Sequence, residues 1–240
     1  MKKLISLCLT LILALTAVSA LAEADNPLAG NRVGDIVIFG NYEQDNNTAN
    51  GKEPIEWIIL DKREDGSLVL LSKYALDAKP YNIEHSDVTW ETCTLRAWLN
   101  EDFYNAAFSA QEQAKIVPVT LENEDNPYWG TTGGKATTDK VWLLSINEVT
   151  NKYTGDKVYN CFTDNTSRMC APTKYAVAQG AYQQSIYTVD GVGACWWWLR
   201  SPGSDSYYAA SVFIGGGDVS GFIVDNSGYG CVRPVVVALP

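Results

Sequence analysis

The chain has 240 residues, is 46% hydrophobic and 19% charged, and carries a formal net charge of -10. That acidic balance excludes nucleic-acid binding built on clustered Lys and Arg, which counterion release requires. The single histidine, His85, excludes a metal site made of several imidazoles, and the absence of CxxC leaves a zinc or thioredoxin site without support.

In chain order, Lys2 and Lys3, the apolar run from Leu4 to Ser19 and Ala20-Leu21-Ala22 read as a secretory signal peptide of residues 1–22. The run is short for a membrane span and contains Ser6, Thr10, Thr16 and Ser19. Leu7 ahead of Cys8 argues against a lipoprotein signal. The mature residues 23–240 are expected to form a single secreted domain, more acidic once Lys2 and Lys3 are gone. No other segment is apolar enough to cross a bilayer, so no membrane contact is expected after cleavage. The end at Pro240 predicts no wall-attachment tail.

Val33 to Phe39 reads as a strand. Ile55 to Leu60 and Leu68 to Ser72, joined by Arg63-Glu64-Asp65-Gly66, read as a β-hairpin. Apolar spacing of three and four predicts a helix from Thr94 toward Phe108. Ser109-Ala110-Gln111-Glu112 and Ser145-Ile146-Asn147-Glu148 are capping boxes that start further helices, the second running toward Tyr153. Ile116 to Leu121 is extended, 123–138 is a loop, Val141 to Leu144 is a short strand, and Thr173 to Gln179 is a helix. From Cys195 the pattern is β only, with strands at Trp196 to Arg200, Ala209 to Phe213, Gly217 to Val224 and Val232 to Leu239. Helices early and antiparallel strands late give an α+β fold.

Five cysteines follow the leader: Cys93, Cys161, Cys170, Cys195 and Cys231. Export permits disulfides, and an odd number leaves at least one thiol free. Cys161 with Cys170 is the easiest pair by spacing. Cys195 and Cys231 flank the last segment and form a second option, and buried free thiols are the alternative to both. His85 lies in a polar loop and reads as a solvated residue. Gly215-Gly216-Gly217 opens no helix and has no Lys after it, so phosphate binding has no support. No catalytic residue, metal or cofactor is assigned.

The last segment is compositionally unusual. From Leu199 to Pro240 there is no Lys, Glu, Gln, Met, Trp, His or Thr. An ordinary surface segment is rich in Lys and Glu. Rigid aromatic residues mixed with small adaptable ones are the composition of a recognition loop. The candidate ligand-binding residues are Ser204, Asp205, Ser206, Tyr207, Tyr208, Ser211, Phe213, Asp218, Ser220, Phe222, Asp225, Asn226, Ser227 and Tyr229. Strand alternation places Ser211 and Phe213 on one side, opposite Ala210 and Val212. Trp197, Trp198, Arg200 and Arg233 are expected as scaffold, with the arginines buried and bonded to backbone carbonyls or a carboxylate.

Gly34-Asp35, Phe39-Gly40, Pro54-Ile55-Glu56-Trp57, Leu70-Leu71-Ser72, Leu95-Arg96, Trp98-Leu99-Asn100, Cys170 to Ala176, Trp197 to Gly203 and Gly230 with Val232-Arg233-Pro234 together resemble a domain of unknown function in secreted proteins of gut Firmicutes. The ending also resembles the variable proteins of diversity-generating retroelements. That resemblance implies a C-type-lectin-like fold over about 140–240 and a hypervariable C-terminal segment used for binding. Adenine-directed mutagenesis of Asn codons yields Asn, Ser, Asp, Gly, Tyr, Phe, Ile, Val and Ala, but not Lys, Glu, Gln, Met or Trp. The segment after Trp198 obeys that restriction. The Glu-Pro-Asn, Gln-Pro-Asp and Trp-Asn-Asp motifs that hold calcium in sugar-binding lectins do not occur, so the resemblance does not extend to calcium-dependent sugar binding. The expected function is a secreted, non-enzymatic binding module for a protein or glycan on another cell, phage or host surface. An extracellular carbohydrate-active enzyme and a structural envelope protein are the alternatives.

Overall fold

Alternating apolar residues build the first sheet. In β2 (Glu53–Lys62), Ile55, Trp57 and Ile59 alternate as buried residues with the more exposed Pro54, Glu56 and Ile58, and Leu60 is buried after them. β2 pairs antiparallel with β1 (Ile36–Tyr42) on one side and β3 (Leu68–Ser72) on the other. The β2–β3 turn closes through Gly66, whose φ of 85° is open to glycine without strain. Its N–H donates to the Arg63 carbonyl at 3.0 Å. The Trp57 indole N–H donates to the Phe39 carbonyl at 2.6 Å and so pins β1 over the core.

The computed structural model describes residues 27–150, 158–217, 219–226 and 230–240, without the side chains of Val219 and Ser220. The expected signal peptide, the approach to Tyr153, and Asp218, Ser227 and Tyr229 lie outside the described residues.

The described chain is α+β, mostly antiparallel strands with short helices. β4 (Asp77–Ala78) follows β3. The predicted helix from Thr94 is broken into α1 (Thr94–Trp98), a π-helical turn (Leu99–Phe103) and α2 (Tyr104–Ala107). Both expected capping boxes form. Ser109 caps α3 (Ala110–Gln113), which leads to a two-stranded ribbon of β5 (Val119–Leu121) and β6 (Thr137–Asp139). Ser145 caps α4 (Ile146–Val149), which follows β7 (Val141–Trp142). α5 (Asn165–Arg168) and α6 (Lys174–Ala178) complete the helices, α6 being capped by the Thr173 side chain.

A hairpin of β8 (Gln183–Val189) and β9 (Val192–Cys195) comes next. β10 (Trp197–Pro202), β11 (Tyr208–Val212), β12 (Val219–Ile223) and β13 (Cys231–Val232) form the second sheet with β4, in the order β12-β11-β10-β13-β4. Only the β10·β13 pairing is parallel. The last predicted strand is split at Arg233-Pro234, because proline has no N–H to give to a ladder. Beyond it, β14 (Val235–Ala238) enters the first sheet, whose order is β1-β2-β3-β14-β7. Two residues therefore carry the chain from one sheet to the other, and one apolar cluster runs through both.

Trp196, Trp197 and Trp198 are all buried. The Trp197 indole donates to the Arg168 carbonyl at 3.1 Å, and that of Trp198 donates to the Lys79 carbonyl at 2.9 Å. Full burial makes Trp197 a core residue, not a sugar-stacking platform. The Arg200 guanidinium donates to the Leu143 carbonyl at 3.1 Å and pairs with Glu148, the carboxylate that also accepts from Ser145 N–H in the capping box. One carboxylate thus joins α4 to β10. Arg233 donates through Nε to the Ser72 carbonyl at 3.0 Å, and its guanidinium lies over the Trp197 ring, 5.0 Å from the centroid. Both arginines are buried scaffold.

Candidate functional site

The candidate ligand residues fall into two neighbouring patches. The first is built on the turn before β11. Ser204 and Asp205 are exposed, while Ser206, Tyr207 and Tyr208 are half-buried. The Tyr208 N–H donates to the Asp205 carbonyl at 3.0 Å, closing the turn. The loop 82–88 packs against it. Val88 N–H donates to the Ser206 carbonyl at 3.0 Å, and the Ser206 hydroxyl donates to Asp87 Oδ1 at 2.6 Å. His85 is exposed in the loop, as expected; its Nδ1 lies 3.2 Å from Asp225 Oδ1, and its ring is 5.3 Å from that of Tyr207.

The second patch is a pair of grooves that share Phe213. The smaller, about 290 Å³, is lined by Tyr182, Gln184, Trp196, Phe213, Phe222 and Asn226 among others. The larger, about 570 Å³, is lined by Asn165, Thr166 and Met169 from α5 and the residue after it and by Ile186, Tyr187 and Thr188 from β8. Phe213, 41% exposed, is the ridge between them. Phe222 is half-buried, with its ring 4.2 Å from Trp196. Asp225 and Asn226, adjacent after β12, join the two patches.

Ser211 does not belong to this surface. Strand alternation predicts it beside Phe213 and facing out, yet it is fully buried, as are Ala209, Ala210 and Val212. β11 lies between β10 and β12 and is covered on both faces, so alternation does not sort its side chains. Ser211 Oγ has no hydrogen-bond partner among the described residues. Asp218, Ser227 and Tyr229, with the side chain of Ser220, lie outside the described residues.

Several contributors were not anticipated from sequence. Tyr182, Gln184, Ile186 and Tyr187 come from β8 and the residue before it. The register of β8 with β9 shifts between Gln184 and Thr188, which leaves Ser185, Ile186 and Tyr187 outside the regular ladder. Ile186 is 76% exposed. The hairpin turn is Asp190-Gly191, with φ of 52° and 79°. Asp-Gly between strands is the strongest short-range hairpin signal, so this element was readable. Its tip is tied to the end of β3: the Tyr74 hydroxyl donates to Asp190 at 2.9 Å, and Lys73 Nζ lies 3.3 Å away. The Tyr74 hydrogen bond, then Lys73, holds the Asp190 carboxyl below its ordinary range. Tyr128 and Trp129 form a further exposed aromatic pair, 4.6 Å between ring centroids. Asn126 accepts both of their N–H groups and donates to the Pro202 carbonyl at 2.8 Å, which holds this loop beside the start of the last segment.

Away from this face, ligand oxygens of Glu43, Asp45 and Glu53 lie within 4.8 Å of one another, and this trio could hold a cation. Its oxygens are already engaged. Glu53 accepts from Gln44 and Asp45 N–H, and Glu43 accepts from Asn47 N–H. The five cysteines among the described residues carry free thiols. Burial pushes Cys93 up to about 12 and Cys161 up to about 11, and raises Cys170 and Cys195 well above the ordinary thiol value. No helix among the described residues is long and apolar enough to cross a membrane.

Residues 65–238 match the family model of a domain of unknown function, DUF6273. The chain belongs to that family. No curated protein and no solved structure matches it.

Proposed function

We propose that this DUF6273 domain is a secreted, non-enzymatic binding module whose C-terminal segment, together with β8, engages a protein or glycan on another cell, phage or host surface. The observation that carries the reading is the continuity of the two grooves through Phe213. Exposed apolar side chains scattered singly need no explanation, whereas a contiguous set rimmed by polar groups marks a contact surface. Phe213, Ile186, Tyr187 and Tyr182 make such a set, and Asn165, Thr166, Gln184 and Asn226 supply its polar rim. Burying one such aromatic side chain contributes about 1.5–3 kcal/mol, so two or three anchors suffice for a specific complex.

The composition of the last segment supports a finer form of the reading. The segment is a C-type-lectin-like display element of the kind diversified by retroelements, and it lacks the Lys, Glu, Gln, Met and Trp that adenine-directed mutagenesis does not produce. Export by the N-terminal leader brings this face to a foreign surface.

The test is a binding screen of the mature domain against a glycan array and intact bacterial and epithelial cells, repeated with Phe213→Ala and Tyr187→Ala. The expected outcome is saturable binding that each variant weakens about tenfold, equivalent to about 1.4 kcal/mol, with unchanged melting temperatures. Full binding by both variants would move the site elsewhere. Release of reducing ends from an arrayed glycan would favour the carbohydrate-active enzyme.

A further inference from the structure

Of the five thiols, strand register selects one pair. Cys195 closes β9 and stands directly opposite Cys170 in an antiparallel bridge, its N–H donating to the Cys170 carbonyl at 2.8 Å. Opposed residues of an antiparallel pair have Cα atoms about 4.5–5.5 Å apart, inside the range of about 4.4–6.8 Å that a disulfide spans. Cys231 is the parallel partner of Trp197, and so stands two residues out of step with Cys195. Its side chain nonetheless also interacts with that of Cys195, so Cys231 is the competing partner and register, not reach, favours Cys170. Spacing along the chain suggested Cys161 with Cys170 or Cys195 with Cys231, and neither is the pair that the register brings face to face.

We infer that Cys170 and Cys195 form a disulfide when the protein folds in an oxidising compartment, and that this bond ties together two segments that line the larger groove. Cys170 directly follows Met169, which lines the groove with Asn165 and Thr166. Cys195 ends the strand whose partner, β8, supplies Ile186, Tyr187 and Thr188 to the same groove. The functional meaning of the bond rests on the binding reading above, but its existence does not.

The surroundings favour the chemistry before burial is complete. Cys170 Sγ and Arg233 Nη2 share the Lys73 carbonyl, at 3.8 and 3.5 Å, and Arg233 Nη1 is buried without a hydrogen-bond partner. A neighbouring guanidinium favours the thiolate, which is the attacking species in exchange. In the closed fold burial prevails and keeps the thiols protonated. Oxidation therefore belongs to the folding chain. One thiolate attacks a sulfur of a small-molecule disulfide, forming a mixed disulfide and expelling one thiolate. The second cysteine thiolate then attacks the protein-side sulfur and expels the other. Two cysteine thiols are oxidised, one external disulfide is reduced to two thiols, and the two protons pass to those products.

The experiment is refolding of the reduced, denatured mature chain in glutathione and glutathione disulfide, with a parallel sample in dithiothreitol. Thiols are then counted and non-reduced peptides are mapped by mass spectrometry. The expected result is the loss of two of the five thiols, a crosslinked peptide containing Cys170 and Cys195, and a melting temperature higher by about 10 °C, from the entropy of closing a loop of this length. The crosslink should persist in Cys231→Ala and vanish in Cys170→Ala. Five free thiols in the glutathione sample, or a dominant Cys195–Cys231 or Cys161–Cys170 peptide, would overturn the assignment. A mapped Cys170–Cys195 bond in a protein that binds nothing through the groove would leave this inference standing and remove the binding reading.

Discussion

Arg233→Lys keeps the charge and removes the fork. Arg233 is 2% exposed and spends its guanidinium on two carbonyls of the chain leaving β3, Ser72 through Nε and Lys73 through Nη2, while its plane covers Trp197. A lysine Nζ can reach one of those carbonyls but cannot hold both and lie flat on the indole. One charge-assisted hydrogen bond is worth about 1.5–3 kcal/mol, and the cation–π contact adds about 0.5–2 kcal/mol, part of which a lysine retains. The expected loss is about 2–4 kcal/mol, which in a domain of this size lowers the melting temperature by about 5–15 °C. Circular dichroism melts of the mature domain measure it, with exposed Arg32→Lys as the variant expected to change nothing. The residue sits where the chain passes from the second sheet to the first, so the loss should be cooperative, in a single transition. An Arg233→Lys protein that melts with the wild type would refute the scaffold role.

Other outcomes follow from the same structure. Gly230→Ala should be among the most destabilising single changes, about 3 kcal/mol or more by overpacking, because a Cβ there would stand 1.9 Å from Trp198 Nε1; thermal melts report it. Asp77 is buried beneath the Tyr42 hydroxyl at 2.7 Å, and burial raises its carboxyl above its ordinary value of 3.8. A raised folded-state value gives stability that is complete below 3.8 and lost as pH rises through the folded value. The stability of Asp77→Asn relative to wild type should therefore increase from acid toward neutral pH, and chemical denaturation at a series of pH values would show a flat difference if this is wrong. Ile186→Asp should leave the folding stability within about 0.5 kcal/mol of wild type, as for an exposed residue, while abolishing groove-dependent cell binding. Tyr207→Ala should weaken binding by about 1–2 kcal/mol if the turn patch belongs to the same interface.

What could be read from the amino acids was whatever local chemistry decides. The β2–β3 hairpin, the two Ser-x-x-Glu boxes and the Thr173 cap are short-range devices, and each stands within a residue or two of its expected place. What depends on the neighbours of a strand was not readable in the same way. Val232 to Leu239 looks like one apolar strand, yet Pro234 breaks the ladder and the halves serve different sheets. The β8 strand begins Gln-Gln-Ser and carries little apolar alternation, so its Asp-Gly turn was the only sign of it. Ser211 was misplaced because alternation assumes one wet face. The adjacent small residues Ala209 and Ala210, both buried, are the trace of a strand covered on both sides.

The same distinction sorts the last segment into positions that can vary and positions that cannot. Ser204, Asp205 and Phe213 face solvent, and replacing them disturbs no buried contact. Ser211 is enclosed between neighbouring strands, where a tyrosine or phenylalanine would force backbone shifts costing about 1–3 kcal/mol or more. Phe222 stacks on Trp196 and meets Trp198 edge-on, so a serine or aspartate there would leave a void against two buried indoles. If adenine-directed mutagenesis acts on this segment, alignment of copies from sibling strains should show free exchange at 204, 205 and 213, apolar residues alone at 222, and only small residues at 211. Equal variation at all five positions would mean that display is not separated from scaffold here. An invariant segment would remove diversification as the origin of its composition.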